Sequence, residues 1–241
     1  MNQYVETIIV RNTDADFRRG MKPSALLRYV EQISTDHARR FGMDDAFFAD
    51  RKVAFLIGRQ ALRFTRVPRR EEALTLVTTP EKSCRGTIKR LTVVTDAAGR
   101  EVARVDCRWI LVDTVRSRIL REPDWSMEGL INEVVEGELP QQVHRCTSLT
   151  SAGIWKARYS LCDLNGHINN SCYLDIACDA LPPQVLQQGP VTFAAIKYNR
   201  EVPMGESMEV FYGPSENGWY VTGQRDGRHA FECYLEITPE H

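Results

Sequence analysis

Within 241 residues, the densest run of reactive and amide side chains is Asp163, Asn165, His167, Asn169 and Asn170. Alternate residues in extended or turn geometry face one side of a chain, so 163, 165 and 167 would present a carboxylate, an amide and an imidazole together. That is a hydrolytic set: an acid or imidazole takes a proton from water, and an amide orients the water or donates to a developing oxyanion. The following residues, 171–181, carry Tyr173, Ile176, Ala177 and Leu181 on one helical face. The start of that helix would add unpaired N–H groups and the positive end of its dipole. A plainer reading of the same residues is available, in which Asp163 and Asn165 cap the helix and His167 is a satisfied histidine.

An internal repeat weighs against the plainer reading. Strand-like residues 4–10, a polar loop and helical residues 23–42 recur as strand-like 154–162, loop 163–170 and helical 171–181. Each helix is followed by strand patterns, at 55–67, 72–80, 86–96 and 101–113 in the first half and at 191–202, 207–213, 218–225 and 228–238 in the second. The expected fold class is α+β, with two sheets that continue edge to edge and each cover a helix. Residues 1–120 and 151–241 form the two units, joined by a more acidic segment, 121–150, that carries a short helix. Aligned at the loops, Asp16 falls under Asp163, Arg18 under Asn165 and Gly20 under His167. Aligned at Pro68 and Pro203, Arg66 falls under Glu201. The acid, amide and imidazole thus occur together only in the second half, whereas capping would serve both halves equally.

Composition removes other classes. No apolar run approaches the roughly 20 residues of a membrane span. There is no nucleotide-cradling glycine motif. The seven cysteines include no CxxC pair, so neither a disulfide framework nor a metal site is expected. The N-terminus lacks the pattern of a secretory signal, which points to a reducing cytoplasm. The formal charge of −1 conceals +9 over residues 1–121 and −10 over 122–241, so the first half can attract an acidic partner. Its basic residues are dispersed and no nucleic-acid motif accompanies them, so nucleic acid is not the expected partner.

The stretch RYSLCDLNGHINNSCYLDI, residues 158–176, resembles the R-x-x-DxDxNxHVNNxxYI signature of the acyl-ACP thioesterases. KYNREV, residues 197–202, resembles their later EYRREC motif, and residues 14–42 are similar to the family's opening helix segment. The resemblance implies two tandem hotdog domains, each an antiparallel sheet wrapped around a central helix. It also implies hydrolysis of the thioester between a fatty acyl chain and acyl carrier protein, with no metal or organic cofactor. By position, the catalytic residues are Asp163, Asn165, His167 and Glu201. Glu201 and His167 would bind and deprotonate water, and Asn165 would orient it; Asp163 either orients or attacks as a nucleophile. Val202 stands where many members have cysteine, which removes a thiol nucleophile there, and Leu161 replaces a further acid. Asn169, Asn170, Tyr29, Val30 and Ile33 are candidates for binding substrate, and Arg39, Arg40, Arg63, Arg66, Arg69 and Arg70 for docking the acidic carrier. The lack of an organelle-targeting extension suggests a bacterial member, monomeric or homodimeric. An acyl-CoA thioesterase, a hotdog enoyl-thioester hydratase and a non-catalytic acyl-binding module are the competing functions.

Overall fold

The computed structural model describes residues 2–82, 86–132 and 134–239. The first half opens with β1 (Tyr4–Ile9) and α1 (Pro23–Arg39). Pro23 occupies the first helical turn, where its missing N–H removes no bond. Leu26, Leu27, Val30, Ile33 and His37 recur at helical spacing and are buried. Gly42, at φ +73°, turns the chain away just beyond the helix. A short α2 (Asp45–Arg51), absent from the sequence expectation, follows; the Asp44 carboxylate caps it by accepting from Phe47 N at 2.9 Å. The strands are β2 (Val53–Phe64), β3 (Ala73–Pro80), β4 (Thr87–Asp96), β5 (Glu101–Asp113) and the two-residue β6 (Arg118–Ile119).

The second half repeats this plan with β7 (Thr150–Lys156), α3 (Cys172–Ala180), a short α4 (Pro183–Leu186), β8 (Val191–Tyr198), β9 (Ser207–Ser215), β10 (Gly218–Arg225) and β11 (Arg228–Ile237). The strands form one antiparallel sheet in the order β1-β3-β4-β5-β2-β8-β11-β10-β9-β7, with β6 beside β5. The two halves of that order mirror each other and meet where β2 pairs β8, from Arg59 opposite Lys197 to Arg63 opposite Phe193. Alternation along these strands separates two faces. Leu62, Ala194 and Ile196 join the core that contains the helices, while Ala61, Phe193 and Ala195 form a patch on the other face.

Residues 121–149 contain no helix among those described, which corrects the expected short helix. The segment instead crosses the outer face as an extended strap, with Leu139 and Val143 packed on the Ala61–Ala195 patch. Contacts made one residue at a time hold it extended. Glu138 pairs with Lys89 at 2.7 Å and Arg108 at 3.0 Å, Arg104 donates to the Gly137 carbonyl at 3.0 Å, and Arg145 pairs with the buried Glu232 at 2.5 Å. A second correction concerns 157–162: β7 ends at Lys156 and Tyr159–Leu161 forms a 3-10 turn, because Ala157 N is drawn to the Glu206 carbonyl and the chain must bend into the loop that follows. The six cysteines described are free thiols, and Cys84 lies outside the described residues.

Under α1 lies a buried cation. Arg90 is 6% exposed, its Nη1 lies 3.1 Å from His37 Nδ1 and 3.4 Å from Thr78 Oγ1. Burial, then the charges of Arg90 and Arg40, hold the His37 imidazole down to a pKa of about 4. Folded His37 therefore stays neutral down to about pH 4, whereas the unfolded chain protonates it near 6.5. Its contribution to stability is complete above pH 6.5 and is lost as pH falls toward 4, a change of roughly 2–4 kcal/mol. His37→Gln should flatten that part of the pH dependence in urea melts taken between pH 7 and 4. An unchanged slope would show that His37 does not supply it.

Candidate active site

The loop between β7 and α3 is a tight turn stapled at both ends. Asp163 N donates to the His167 carbonyl at 3.0 Å, Gly166 N donates to the Asp163 carbonyl at 3.0 Å, and Gly166 takes a φ of +79°. Inside the turn, Asp163 Oδ1 accepts from Asn165 N at 2.8 Å. Ile168 N then donates to the Val202 carbonyl at 3.0 Å, which fixes the loop against the chain leaving β8. This brings His167 Nε2 to 3.5 Å from Glu201 Oε1. Asn169 Oδ1 accepts from Ser171 N at 2.9 Å and Ser171 Oγ at 2.6 Å, so it secures the start of α3. The Tyr198 hydroxyl lies 3.0 Å from the Asn170 carbonyl oxygen and 2.7 Å from Gln60 Oε1, tying the loop to the first half.

These residues open onto a cavity of about 410 Å³. Asp163, Asn165, His167, Asn170 and Glu201 make its polar wall. The facing wall comes from the first half, with Phe55, Leu56 and Ile57 on β2, Trp109, Ile110 and Val112 on β5, and Ile119 on β6. Here β2 bulges at Gly58, between the register positions of Ile57 and Arg59; a Cβ on Gly58 would stand 2.6 Å from Ile110 Cδ1, so glycine lets the wall close. Phe55 is buttressed by Phe48 and Trp125, with ring centroids 5.8 and 6.5 Å away.

Of the residues singled out in the sequence, Asp163, Asn165, His167, Glu201 and Asn170 line this one cavity, while Asn169 faces Ser171 and α1 instead. Tyr29, Val30 and Ile33 do not line it. Val30 and Ile33 are wholly buried in the core, and the Tyr29 hydroxyl donates to Asp14 Oδ2 at 2.8 Å. Helical spacing marked the side of α1 that packs on the sheet; the cavity lies on another flank of that helix. There stands Glu31, which the sequence reading passed over although it interrupts the buried step Leu27, Glu31, Ser34. Asn169 Nδ2 lies 3.5 Å from Glu31 Oε2, and burial, reinforced by the charge of Asp163, raises the Glu31 pKa.

The alignment of the halves also needs one correction. Met21 N donates to the Pro68 carbonyl just as Ile168 N donates to that of Val202, and Thr65 and Arg66 both bond Val102 just as Asn199 and Arg200 bond Ala230. Hydrogen bonds therefore match Pro68 with Val202, so Val67, and not Arg66, corresponds to Glu201. Matching the prolines shifted the strands by one residue. In the first half the pair is Gly20 and Val67, a Cβ on Gly20 standing 3.0 Å from Val67 Cγ1.

The six arginines do not form one surface. Arg39 and Arg40 end α1, where Arg39 pairs with Asp36 and Arg40 lies over the Tyr4 ring. Arg63 lies over Phe193. Arg66, Arg69 and Arg70 follow β2, where Arg66 pairs with Glu72 at 2.5 Å and Arg70 with Glu71 at 3.1 Å, while Arg69 donates to the Arg18 carbonyl at 2.8 Å. At about 3.3 Å per strand residue, Arg66 is roughly 26 Å along the chain from the cavity wall at Gly58. Among the described residues no group of His, Cys, Asp or Glu could hold a metal ion, and no helix is long and apolar enough to cross a membrane.

Comparison with known proteins agrees with this architecture. The model of the acyl-ACP thioesterase N-terminal domain matches residues 1–129 and that of the C-terminal domain matches 148–240. Among curated proteins, the chloroplastic acyl-[acyl-carrier-protein] hydrolase FATB2 of Cuphea viscosissima is 19% identical over 210 residues, and the chloroplastic palmitoyl-acyl carrier protein thioesterase of Cuphea hookeriana is 18% identical over 208. Each alignment covers 80% of this chain, and the chain spans about half the length of either relative. Among solved structures, an acyl-ACP thioesterase from Bacteroides thetaiotaomicron superposes with a TM-score of 0.88 at 19% identity over 98% of both chains. The 12:0-ACP thioesterase of Umbellularia californica superposes with a TM-score of 0.88 at 16% identity, over 100% of this chain and 98% of that one. The fold is the double hotdog, and with family models matched over both halves the chain belongs to the acyl-ACP thioesterase family.

Proposed function

We propose that the chain hydrolyses the thioester linking a fatty acyl chain to acyl carrier protein, releasing free fatty acid and the carrier thiol. The observation that carries this reading is the His167–Glu201 pair, 3.5 Å apart, at the polar wall of a cavity whose opposite wall is apolar. Such a cavity suits an acyl chain on one side and an activated water on the other. Residues 1–120 supply the apolar wall, 121–150 the strap, and 151–241 the reacting groups.

Water held between Glu201 and His167 gives up a proton to that pair and attacks the thioester carbon. The side-chain amides of Asn165 and Asn170 have no partner among the described residues, so both can donate, Asn165 to the water and Asn170 to the carbonyl oxygen as it gains charge. A thiol nucleophile is disfavoured: burial raises the pKa of Cys162 and Cys172 beside the site, and of Cys107 and Cys178 to about 12. Asp163 acts by holding the turn. Its Oδ1 is already engaged with Asn165 N, and in the half without His167 Asp16 accepts the matching bond from Arg18 N and a further one from Gly20 N.

For the carrier, a basic surface beside the cavity is the β5–β6 hairpin, and exposed Arg200 lines the cavity itself. The hairpin lines the cavity with Val112 and Ile119, exposes Val115, and carries Arg116 and Arg118, whose side chains are 66% and 59% exposed beside Asp113. Lys52 stands alongside, its carbonyl bonded by Thr114 N at 2.9 Å. An acidic carrier placed there would deliver its thioester directly into the cavity.

Three measurements test this assignment. Turnover of acyl-ACP, acyl-CoA and enoyl-CoA, followed by free thiol and enoyl absorbance, should show hydrolysis with preference for the carrier, and His167→Ala should lower kcat on the order of 10²-fold or more with the fold intact; near-normal turnover would remove His167 from the mechanism. In a single turnover in ¹⁸O water, mass spectrometry should find label in the fatty acid and none on the peptide containing Asp163; label or an acyl adduct there would establish attack by that carboxylate. Reversing Arg116 and Arg118 to Glu should raise KM for acyl-ACP and leave a small neutral thioester unaffected, whereas reversing Arg69 and Arg70 should change neither. The opposite pattern would move docking to the far end of β2.

A further inference from the structure

Glu31 is the one acid that the first half contributes to the cavity lined by Asp163, His167 and Glu201. It comes from the middle of α1, reaches across the junction of the halves, and has Asn169 as its hydrogen-bond partner. The groups around it are Asp163, Asn169, Cys107, Cys172 and Tyr198; Arg200 and His167 line the same cavity, but no cation among the described residues pairs with Glu31. A half-buried carboxylate with no ion-pair partner, set beside another acid and thiols, is a poor structural choice, since withdrawing an unpaired charge from water is unfavourable.

The repeat supplies a second, independent observation. One offset of 147 residues carries Asp16 onto Asp163, Gly20 onto His167 and Glu31 onto Cys178. Backbone pairing follows the same offset, Ala15 with Met21 and Cys162 with Ile168. Cys178, half-buried on α3, is within reach of the charge of Asp16, as Glu31, on α1, is within reach of that of Asp163. Each helix thus offers one side chain to the loop of the opposite half. The turn-forming aspartate is kept at both ends, but the helix acid occurs only where His167, Asn165 and Glu201 occur. A glutamate needed for packing would serve either end.

We propose that Glu31 is a further catalytic residue of this site, the acid that protonates the departing sulfur when the carbon–sulfur bond breaks. The proposal rests on the thioester hydrolysis described above. Water adds its oxygen to the carbonyl carbon and gives a proton to the His167–Glu201 pair. The carbon–sulfur bond then breaks with its electrons on sulfur, which takes the proton of the Glu31 carboxyl and leaves as the thiol. Glu31 regains a proton from solvent and the His167–Glu201 pair returns its own, so the balance is thioester plus water to acid plus thiol. An alkyl thiol titrates near 8.5 in water, and beside Asp163 and Glu201 in a confined cavity its anion is less favourable still, so a nearby acid helps expel it. Burial and the charge of Asp163, which raise the pKa of Glu31, favour its protonated form.

The test compares Glu31→Gln with the unaltered chain on two esters of one fatty acid, an alkyl thioester of pantetheine and an aryl thioester of thiophenol. Glutamine keeps the shape and can still accept from Asn169, but it has no proton to give. The expected result is a fall in kcat/KM of about 10²-fold on the alkyl thioester and under about threefold on the aryl thioester, whose thiolate leaves without help. Equal falls on both esters in a variant with an unchanged melting profile, or no fall on either, would overturn the proposal. Glu31→Leu, which removes the buried polar group, repeats the comparison if the glutamine variant is destabilised. An unaltered chain that cleaves neither ester would overturn the hydrolase reading and this proposal with it.

Discussion

The pairing of β2 with β8 is the contact on which the site depends. Antiparallel register from Arg59–Lys197 to Arg63–Phe193 sets the end of β8 beside the beginning of β2. Because Ile168 is bonded to Val202 just past the end of β8, the 163–170 loop arrives opposite Ile57, Gly58 and the neighbouring β5. A cavity therefore forms with Asp163, Asn165, His167 and Glu201 on the second half and, on the first, an apolar wall with Glu31 beside it. Neither half alone would enclose that cavity. Small residues at the crossing, Ala61 and Ala195, leave room for the strap, whose Leu139 and Val143 exclude water from the patch that the joined sheets expose.

The same pairing creates a second, equivalent location at the other end of β2, and the chain uses it differently. Gly20 and Val67 stand where His167 and Glu201 stand at the active end, and Arg18 replaces Asn165. Arg18 donates to the Leu186 and Gln187 carbonyls at the end of α4, so this end fastens the two halves together. Those carbonyls are the ones a helix leaves unpaired at its C-terminus, and a guanidinium meets several of them at once. Asp16 persists because both ends need the turn, which separates the aspartate's role in folding from the chemistry built around it.

Charge is handled in two ways across the molecule. On the outer face, Glu138 of the strap sits between Lys89 and Arg108 and so converts the opposite charges of the two halves into adhesion, while Arg145 on Glu232 fastens the strap to the second half's own sheet. Within the cavity the acids outnumber their partners: Glu31, Asp163 and Glu201 share one space with one imidazole, His167, and one guanidinium, Arg200. Local disfavour of that kind is tolerated where the groups must exchange protons, and the strongly packed sheet around it supplies the stability.

The order of elements, the repeat and the candidate set Asp163, Asn165, His167 and Glu201 were legible along the chain because each leaves a local mark. Strands alternate, helices recur every third or fourth residue, and D-x-N-x-H is an unusual density of reactive groups. What the sequence could not carry is which flank of α1 meets the other half. Periodicity identified Val30 and Ile33 as apolar without distinguishing core from cavity, and it gave Glu31 no meaning, since an isolated acid at helical spacing has none until an opposing loop is placed against it. The one-residue shift that matched Arg66 with Glu201 has the same origin: two prolines look equivalent in one dimension, but hydrogen bonds between strands define equivalence, and a one-residue slip exchanges the faces of a strand. The composition of 121–150 suggests a connection carrying a short helix, yet its conformation is decided by Lys89, Arg104, Arg108 and Glu232 on distant strands. Sequence alone determined the repeat and where reactive side chains are concentrated; tertiary structure decided the cavity and its partners, because both arise only from contacts between the halves.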